Sequence, residues 1–393
     1  MPVRLNELPA ELAPPEAPRL IRWCVAALVV ALALGGLLLW CWPPRWAPYT
    51  QWSLLCATLL PCAAGTLLVA LRMRAFERGV EYTRQWNAER ARQARLMTAE
   101  AQRPLAVLAM AYCTAAGCNQ LGRALASGLK PLQPLYLPTA NRVVRCSQLE
   151  LGAEGPAVAH YRQRLVLAFE QLATLLGPPP RLRQDTPVYL RLRHDGALAN
   201  REVIALWQAV LPAWPLEVQG ALAGPGGLMW LDTWLDAERT CAVVLSLEIN
   251  LFLQPREGEA EHVSAVLLAH PAWRNTHGVP ALAHLHRPVA AEQGDGWWAQ
   301  ALNWGRLAPG APAPFTWASQ VPAATLARLD GLAPGQVHGL DASLGRPGKA
   351  AGQLALMAAL ADAQATAAAQ CVLLGDGALH GCVVQPVTLT RNA

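Results

Sequence analysis

The sequence is poor in charged residues for its length. Only 15% of its 393 residues are charged, whereas 53% are hydrophobic; a typical soluble domain carries roughly 25% charged residues. Disorder of the whole chain is excluded, because disorder requires low hydrophobicity and high net charge. The formal net charge of +5 is too small for a nucleic-acid-binding surface. A mean hydropathy of +0.21 over so long a chain predicts that part of it lies in a membrane.

The chain also lacks the short motifs of common cofactor sites. Its 10 cysteines form no C-x-x-C pair, so zinc and disulfide frameworks have little support. No Walker loop and no Gly-x-Gly-x-x-Gly precedes a predicted helix, which leaves nucleotide binding unsupported. His284 and His286 share one face of a predicted strand and could bind a metal with His270 or His277, but strand histidines on a polar face are the commoner explanation. We expect no cofactor and no metal.

Two apolar runs near the N-terminus each reach the ~20 residues that cross a hydrocarbon core. They extend from Leu20 to Trp42 and from Trp52 to Leu71, joined by a short turn-rich segment. Pro61 lies inside the second run, where neighbouring groups can satisfy the carbonyl that it frees. The alternative, a cleaved signal peptide, has a shorter apolar core and small residues at its cleavage site. The first run ends in bulky residues, and a second apolar run follows it closely. Both features favour a transmembrane helical hairpin.

Arginines predict the orientation of this hairpin. Three precede the first run, four closely follow the second, and Arg45 alone lies between them. The flanking arginines are Arg4, Arg19, Arg22, Arg72, Arg74, Arg78 and Arg84. By the positive-inside rule both termini are cytoplasmic, and a bacterial inner membrane is the expected location.

The same features divide the chain into four parts. We predict a cytoplasmic tail over 1–19, the hairpin over 20–72, a basic helical connector over 73–103 and a cytoplasmic domain over 104–393. The connector is either a solvated stalk or a helix that binds anionic lipid headgroups.

Beyond Pro104 short apolar strands alternate with amphipathic helices, which predicts a layered α/β fold. A strand at Leu216 to Gln219 leads into a glycine turn, Gly224 to Gly227, and a helix that ends at Glu238. Further strands are predicted from Ala242, at His262 to Ala269 and at Val279 to Val289. The chain closes with strand Val337 to Asp341, a helix from Lys349 to Ala369, and strands Cys371 to Gly375 and Gly381 to Leu389.

Several segments of this region resemble one enzyme family when they are taken in order. They are Leu105 to Gly117, Leu121 to Leu132, Leu344 to Gly352 and Gly375 to Gly381. The first two are similar to the opening strand and helix of the β-ketoacyl-ACP synthases, the third to their Gly-His-x-x-x-Ala-Ala-Gly turn and the last to their closing glycine-rich hairpin. The resemblance implies a fold of the thiolase-like superfamily.

The resemblance also implies a site with a cysteine nucleophile at a helix N-terminus and two histidines, or a histidine and an asparagine. Alignment of Gly227-Leu228 with the family's Cys-x-x-Gly-Leu puts Gly224 at the nucleophile position, and Arg346 stands at one histidine position. The family's His-Gly-Thr-Gly run has no match beyond the fragment His338-Gly339, and Cys241 precedes a strand. We expect a degenerate site that has lost condensing chemistry.

The leading hypothesis is therefore an inner-membrane-anchored, non-catalytic scaffold or adaptor, a pseudoenzyme whose synthase-like domain binds a protein partner. The partner could be a second copy, an intact synthase, an acyl carrier protein or a secretion-system component. Pairing through the strand near Leu216 to Gln219 is the expected mode of dimerisation. The alternatives are a divergent membrane-associated acyl-chain enzyme of a lipid or polyketide-type pathway, a cytoplasmic-side adaptor of a bacterial secretion system, and a membrane sensor with the basic connector as its moving part.

The arginine distribution yields a test of topology. A reporter fused at Pro48 is expected to be active only as a periplasmic reporter, and one fused after Ala393 only as a cytoplasmic reporter, because arginine is dense outside both spans and sparse between them. A periplasmic C-terminus would overturn both the location and the expectation that the cysteines stay reduced.

Overall fold

The structure is a computed structural model, and it contains two compact units, Val3–Thr98 and Ala99–Ala393. The residues that it describes are 8–42, 51–119, 121–128, 132–137, 141–151, 157–180, 182, 186, 188–214, 226–236, 243–293, 296–308, 314–327 and 337–387.

The N-terminal unit contains two helices that are long and apolar enough to cross a membrane. They are α1, Leu20–Trp40, and α2, Gln51–Ala101. Only 6% and 11% of their most apolar windows are buried within the structure, unlike the core helix of a soluble protein. Pro61 is accommodated inside α2. Helix α2 continues without a break past residue 72 to Ala101, so the second apolar run and most of the basic connector belong to one helix of 51 residues.

Small residues allow α1 and α2 to pack closely as an antiparallel hairpin. A Cβ at Gly35 would lie 2.8 Å from the Ala57 carbonyl oxygen, and one at Gly65 would lie 3.0 Å from that of Ala27. Close backbone approach at small residues is a common way for helices to associate in lipid.

The N-terminal tail runs back along the part of α2 that follows the apolar run. The Asn87 side chain accepts a hydrogen bond from the Leu12 N–H and donates one to the Leu12 carbonyl, each at 3.0 Å. The Arg90 guanidinium donates to the Pro9 carbonyl at 2.7 Å and pairs with Glu11 at 2.8 Å. The tail and residues 87–90 of α2 therefore lie beyond the same end of the hairpin.

The second unit has a mixed α/β architecture. Its described helices are α3 Leu121–Ala126, α4 Val158–Leu176, α5 Asn200–Val210, α6 Trp230–Leu235, α7 Pro271–His277, α8 Trp297–Trp304, α9 Ala323–Leu326, α10 Leu340–Ser343 and α11 Ala351–Thr366. Its described strands are β1 Leu105–Thr114, β2 Gly117–Cys118, β3 Gln133–Leu137, β4 Arg142–Cys146, β5 Val188–His194, β6 Val243–Asn250, β7 His262–Ala269, β8 Ala283–Leu285, β9 Val289–Ala290, β10 Phe315–Ser319, β11 Val337–Gly339, β12 Gln370–Leu374 and β13 His380–Pro386.

One large sheet organises this unit. Its strand order is β11-β10-β12-β13-β8-β1-β7-β6-β5, with β2 added beside β1 and β9 beside β13. The pairs β5–β6, β10–β11 and β10–β12 are parallel, and the other pairs of this path are antiparallel. A separate hairpin is formed by β3 and β4. Strand β6 has partners on both sides, so it is not an edge of the sheet.

Both faces of the sheet are covered, because strands such as β1 carry apolar side chains on both faces. Val107 and Tyr112 of β1 join a core that includes α6 and α11, whereas Ala106 and Ala111 join a core that includes α4 and α5. A register shift between Val107 and Ala109 reverses the alternation. The side chains that face the core with α6 and α11 are odd-numbered before the shift and even-numbered after it. Helix α11 is buried from Ala351 to Leu360 and again at Ala363.

Three sequence predictions need correction here. The segment Val279 to Val289 forms no continuous strand, because β8 and β9 are separated by His286, Arg287 and Pro288. The strand that begins at Val337 ends at Gly339 and passes into α10. The helix predicted from Lys349 begins as a 3-10 turn, Gly348–Ala350, before α11. The predicted strand at 216–219 lies outside the described residues.

Candidate functional site

The candidate site is centred on the turn of residues 226–229, here called the elbow, that leads into α6. The Gly227 N–H donates to Oδ2 of Asp376 at 2.7 Å, and the Leu228 N–H donates to Nε2 of His380 at 3.0 Å. Both acceptors lie in the glycine-rich hairpin between β12 and β13. The turn and the hairpin, which are about 150 residues apart in the chain, are thereby joined through the backbone of the elbow.

The His380 ring is fixed in one tautomer. Its Nδ1 lies 2.7 Å from the Ala378 carbonyl oxygen, so Nδ1 carries the proton and Nε2 is the acceptor. Burial lowers the pKa of His380, which keeps the ring neutral. A Cβ added to Gly227 would overlap this ring. Glycine at 227, with φ +58°, is therefore required both by the backbone conformation and by the space that His380 occupies.

The Asp376 carboxylate has a second, charged partner. Nη1 of Arg193 lies 3.2 Å from the same Oδ2 that accepts the Gly227 N–H. About a fifth of each side chain is exposed, so this pair lies at the margin of the site.

A fully buried ion pair adjoins the elbow. The side chains of Arg191 on β5 and Glu248 on β6 are 3% and 1% exposed and form a short ion pair. Burial lowers the pKa of Arg191, and the Glu248 carboxylate opposes that shift. The guanidinium carbon also lies 4.6 Å from the ring centroid of Trp230, a cation–π distance. The ion pair thus contacts the first residue of α6.

Ser246 and Gln353 add hydrogen bonds to this pair and to each other. The Ser246 hydroxyl donates to Gln353 Oε1 at 2.8 Å, the Gln353 amide donates to the Ser246 carbonyl at 3.1 Å, and the Gln353 N–H donates to Glu248 at 3.3 Å. Gln353 lies in the first turn of α11, whose neighbour Gly352 packs against the elbow: a Cβ there would lie 2.8 Å from the Gly227 carbonyl carbon. We call the whole set the elbow network: Arg191, Arg193, Ser246, Glu248, Gln353, Asp376 and His380.

Arg346 lies in a separate cavity of about 500 Å³. The cavity is lined by Glu259, Gln320, Val321, Pro322, Asp341, Arg346, Gly348 and Gly375. The Arg346 backbone is fixed there, because its N–H donates to Gly258 at 2.7 Å and its carbonyl accepts from Ala260 at 2.9 Å, while its side chain is exposed. A guanidinium stays protonated in proteins, so Arg346 can bind an anion but cannot act as a base.

The polar wall of this cavity is formed where β10 ends. Asp341 accepts hydrogen bonds from the Ser319 hydroxyl and the Gln320 N–H, both at 2.7 Å. The Gln320 amide donates to the Gly348 carbonyl at 3.1 Å. His338, the histidine of the fragment His338-Gly339, does not line the cavity; its ring lies 5.3 Å from that of Trp317.

The remaining predicted residues have these placements. Gly224 and Cys241 lie outside the described residues. No described cysteine is located in the first turn of a helix, and burial raises the pKa of Cys371 to about 12. Among the described residues no group of three potential metal ligands occurs, so His284 and His286 gain no third partner.

The sequence reasoning missed most of the elbow network. Arg191 and Glu248 carried a usable signal, because each is a charged residue inside a strand whose other residues are largely apolar. Asp376 and His380 carried none beyond their place in a glycine-rich turn. Their roles depend on contacts with Gly227 and Leu228, which are about 150 residues away.

Comparisons with known proteins identify structural neighbours. No family model matches the chain, and no curated protein matches it in sequence. The oxazolomycin ketosynthase domain of Streptomyces albus is 12% identical over 72% of this chain and 74% of that one, with a TM-score of 0.49. A β-ketoacyl synthase from Burkholderia phymatum is 10% identical over 72% and 100%, with a TM-score of 0.49. The ishigamide ketosynthase/chain length factor is 13% identical over 72% and 99%, with a TM-score of 0.48.

These neighbours are ketosynthases, aligned at identities of 10 to 13% and TM-scores of 0.48 to 0.49. At this level of similarity the thiolase-like fold stays a prediction of the sequence resemblance. What the site does must therefore be argued from the residues of this chain.

The close fit between Gly227 and His380 can be tested with a matched pair of substitutions. Gly227 and Gly278 have similar positive φ angles, +58° and +63°, but a Cβ at Gly278 would meet no atom within 4 Å. Gly278→Ala is expected to cost about 1–2 kcal/mol, the strain of the left-handed conformation that this residue adopts. Gly227→Ala is expected to cost a further 1–3 kcal/mol or so, because the methyl group overlaps the His380 ring.

The measurement is thermal unfolding of both variants and of the parent chain in the same detergent. Equal losses of stability at the two glycines would show that His380 does not occupy the space beside Gly227.

Proposed function

We propose that this chain is a non-catalytic, inner-membrane-anchored scaffold whose ketosynthase-like domain binds a protein partner. The proposal rests on the geometry of the elbow and on the composition of α1 and α2.

The observation that carries the non-catalytic part is the occupation of the elbow donors. In acyl-transfer enzymes the backbone N–H groups at such a turn are kept free, because they stabilise a thiolate or an oxyanion. Here the N–H of Gly227 binds Asp376 and the N–H of Leu228 binds His380. A substrate oxygen would have to displace a carboxylate and a fixed imidazole to reach these donors.

The proton-transfer groups that a condensing reaction needs are also engaged. Both ring nitrogens of His380 already have backbone partners, and burial lowers the pKa of the ring. In the lining of the separate cavity, Arg346 and Gln320 cannot accept a proton near neutral pH. Asp341 already accepts two hydrogen bonds there, and Glu259 is paired with Arg256 at 3.6 Å. These features support the loss of general acid–base chemistry.

Membrane anchoring is supported by the surface of the hairpin. Bulky apolar side chains of both helices are largely exposed, among them Ile21 at 80%, Leu32 at 68% and Leu60 at 60%. Exposed apolar surface of this extent is unfavourable in water and matches a lipid environment. The pairing of the tail with Asn87 and Arg90 supports the expectation that the N-terminus and the stretch after the second span lie on one side of the membrane.

The alternative of a divergent acyl-chain enzyme makes the opposite prediction for a direct assay. The full-length chain, purified in detergent, is incubated with isotopically labelled acyl-CoA and acyl carrier protein, and its intact mass is measured. We expect no acyl adduct, and we expect Gly224→Cys to remain unmodified at that cysteine, because the N–H groups of Gly227 and Leu228 already donate to Asp376 and His380.

An intact condensing enzyme serves as the positive control for the acyl donors. A stoichiometric adduct on Cys241 or on any other cysteine, formed faster than in the unfolded chain, would contradict the non-catalytic proposal and favour the acyl-chain enzyme.

Partner binding needs a separate measurement. We expect the full-length chain in nanodiscs to form a dimer, or to bind an intact synthase or an acyl carrier protein from the same organism, because a domain without chemistry is retained for its surface. Light scattering measures the oligomeric state, and biolayer interferometry with empty nanodiscs as control measures binding. A strict monomer that binds neither protein would overturn the scaffold.

A further inference from the structure

Two cysteines of the second unit lie directly opposite each other at a tight hairpin. Cys113, near the end of β1, pairs with Cys118 of β2 in antiparallel register, and residues 114–117 form the turn between them. The two Sγ atoms are 2.8 Å apart. Facing positions of an antiparallel pair have Cβ atoms ~5 Å apart, not far from the spacing of a disulfide. A covalent bond between these thiols therefore requires little movement of the backbone.

The two thiols differ in accessibility. Cys113 is fully buried in the core beside α4, whereas Cys118 is half-buried at the surface. The hydrogen bond from Cys113 lowers the pKa of Cys118 to about 7, and the same bond together with burial raises the pKa of Cys113. Cys118 is thus the thiol that outside reagents reach first, and a large share of it is thiolate near neutral pH.

A surface cavity lies next to Cys118. The Cys118 sulfur is 4.0 Å from Oε1 of Gln171 on α4, and Gln171 lines a cavity of about 380 Å³. The other lining residues are Glu150, Leu151, Leu167, Glu170 and Thr174. Among the described residues its lining therefore includes two carboxylates and no cationic side chain, which favours a positively charged molecule.

We propose that Cys113 and Cys118 form a redox-active dithiol that undergoes exchange with small disulfides bearing amino groups. The Cys118 thiolate attacks one sulfur of the disulfide R–S–S–R, forms a mixed disulfide and releases RS⁻. Cys113 then loses its proton and attacks Cys118 Sγ, which expels the second RS⁻. The chain gains one disulfide and loses two thiol protons, and R–S–S–R is reduced to two thiols.

The competing explanation is that the two cysteines have only a structural role. The mass of one tryptic peptide distinguishes the two explanations. Trypsin releases Leu96–Arg123 as a single peptide, since Pro104 protects the bond after Arg103, and of the ten cysteines it contains only Cys113 and Cys118. After treatment of the full-length chain with cystamine we expect this peptide to be two hydrogens lighter, and dithiothreitol should reverse the change. A peptide that stays reduced while the unfolded chain oxidises would overturn the proposal.

Single substitutions test the order of steps. Cys113→Ser should stop at the mixed disulfide, so the cystamine fragment remains on Cys118. Cys118→Ser should prevent both steps while its hydroxyl keeps a hydrogen bond to Cys113, so its melting temperature should match that of the parent. A Cys118→Ser variant that still forms an adduct on Cys113 would contradict the assignment of Cys118 as the attacking thiol.

The acidic cavity predicts a charge preference. Relative to a free cysteine peptide, we expect cystamine to react roughly tenfold faster than the anionic dithiodiglycolate. Salt should reduce the difference, and the double variant Glu150→Gln/Glu170→Gln should abolish it. Equal rates in the parent chain would overturn the role of the cavity in selecting the disulfide.

Discussion

The buried ion pair between Arg191 and Glu248 constrains the whole region around the elbow. Two charges in a low-dielectric interior are costly unless they are paired and their remaining atoms are hydrogen-bonded. Ser246 and Gln353 meet that requirement, and they can do so only if β5 and β6 keep their parallel register and α11 begins at its present position. The ion pair therefore links three elements that are far apart in the chain.

The same constraint explains the chemistry of the elbow. Arg193, two residues along β5 from the buried arginine, reaches Asp376, and Asp376 in turn holds the Gly227 N–H. His380 from the same hairpin holds the next N–H. Backbone donors that could stabilise a developing negative charge are instead saturated by fixed acceptors of the chain. Such a turn contributes to stability and to the mutual placement of α6 and the hairpin, and it leaves no donor at these two positions for a substrate.

The few charges of the sequence thus fall into distinct groups. Some are buried and paired inside the sheet, where they fix register. Others, such as Glu89 and Arg92, lie exposed on α2 and pair within the helix, where they contribute little to stability. The apolar side chains of α1 and α2 are largely exposed.

The sequence by itself determined the elements whose pattern is local. The apolar runs predicted α1 and the first part of α2, and the strand predicted at His262 to Ala269 has the observed bounds of β7. The motifs around Gly345 and Gly375 predicted the closing turn and hairpin. Only the tertiary structure decided which polar groups meet, because Arg191 and Glu248 are 57 residues apart and Leu228 and His380 are 152 apart. Strand order and register bring such groups together, and no local periodicity encodes either.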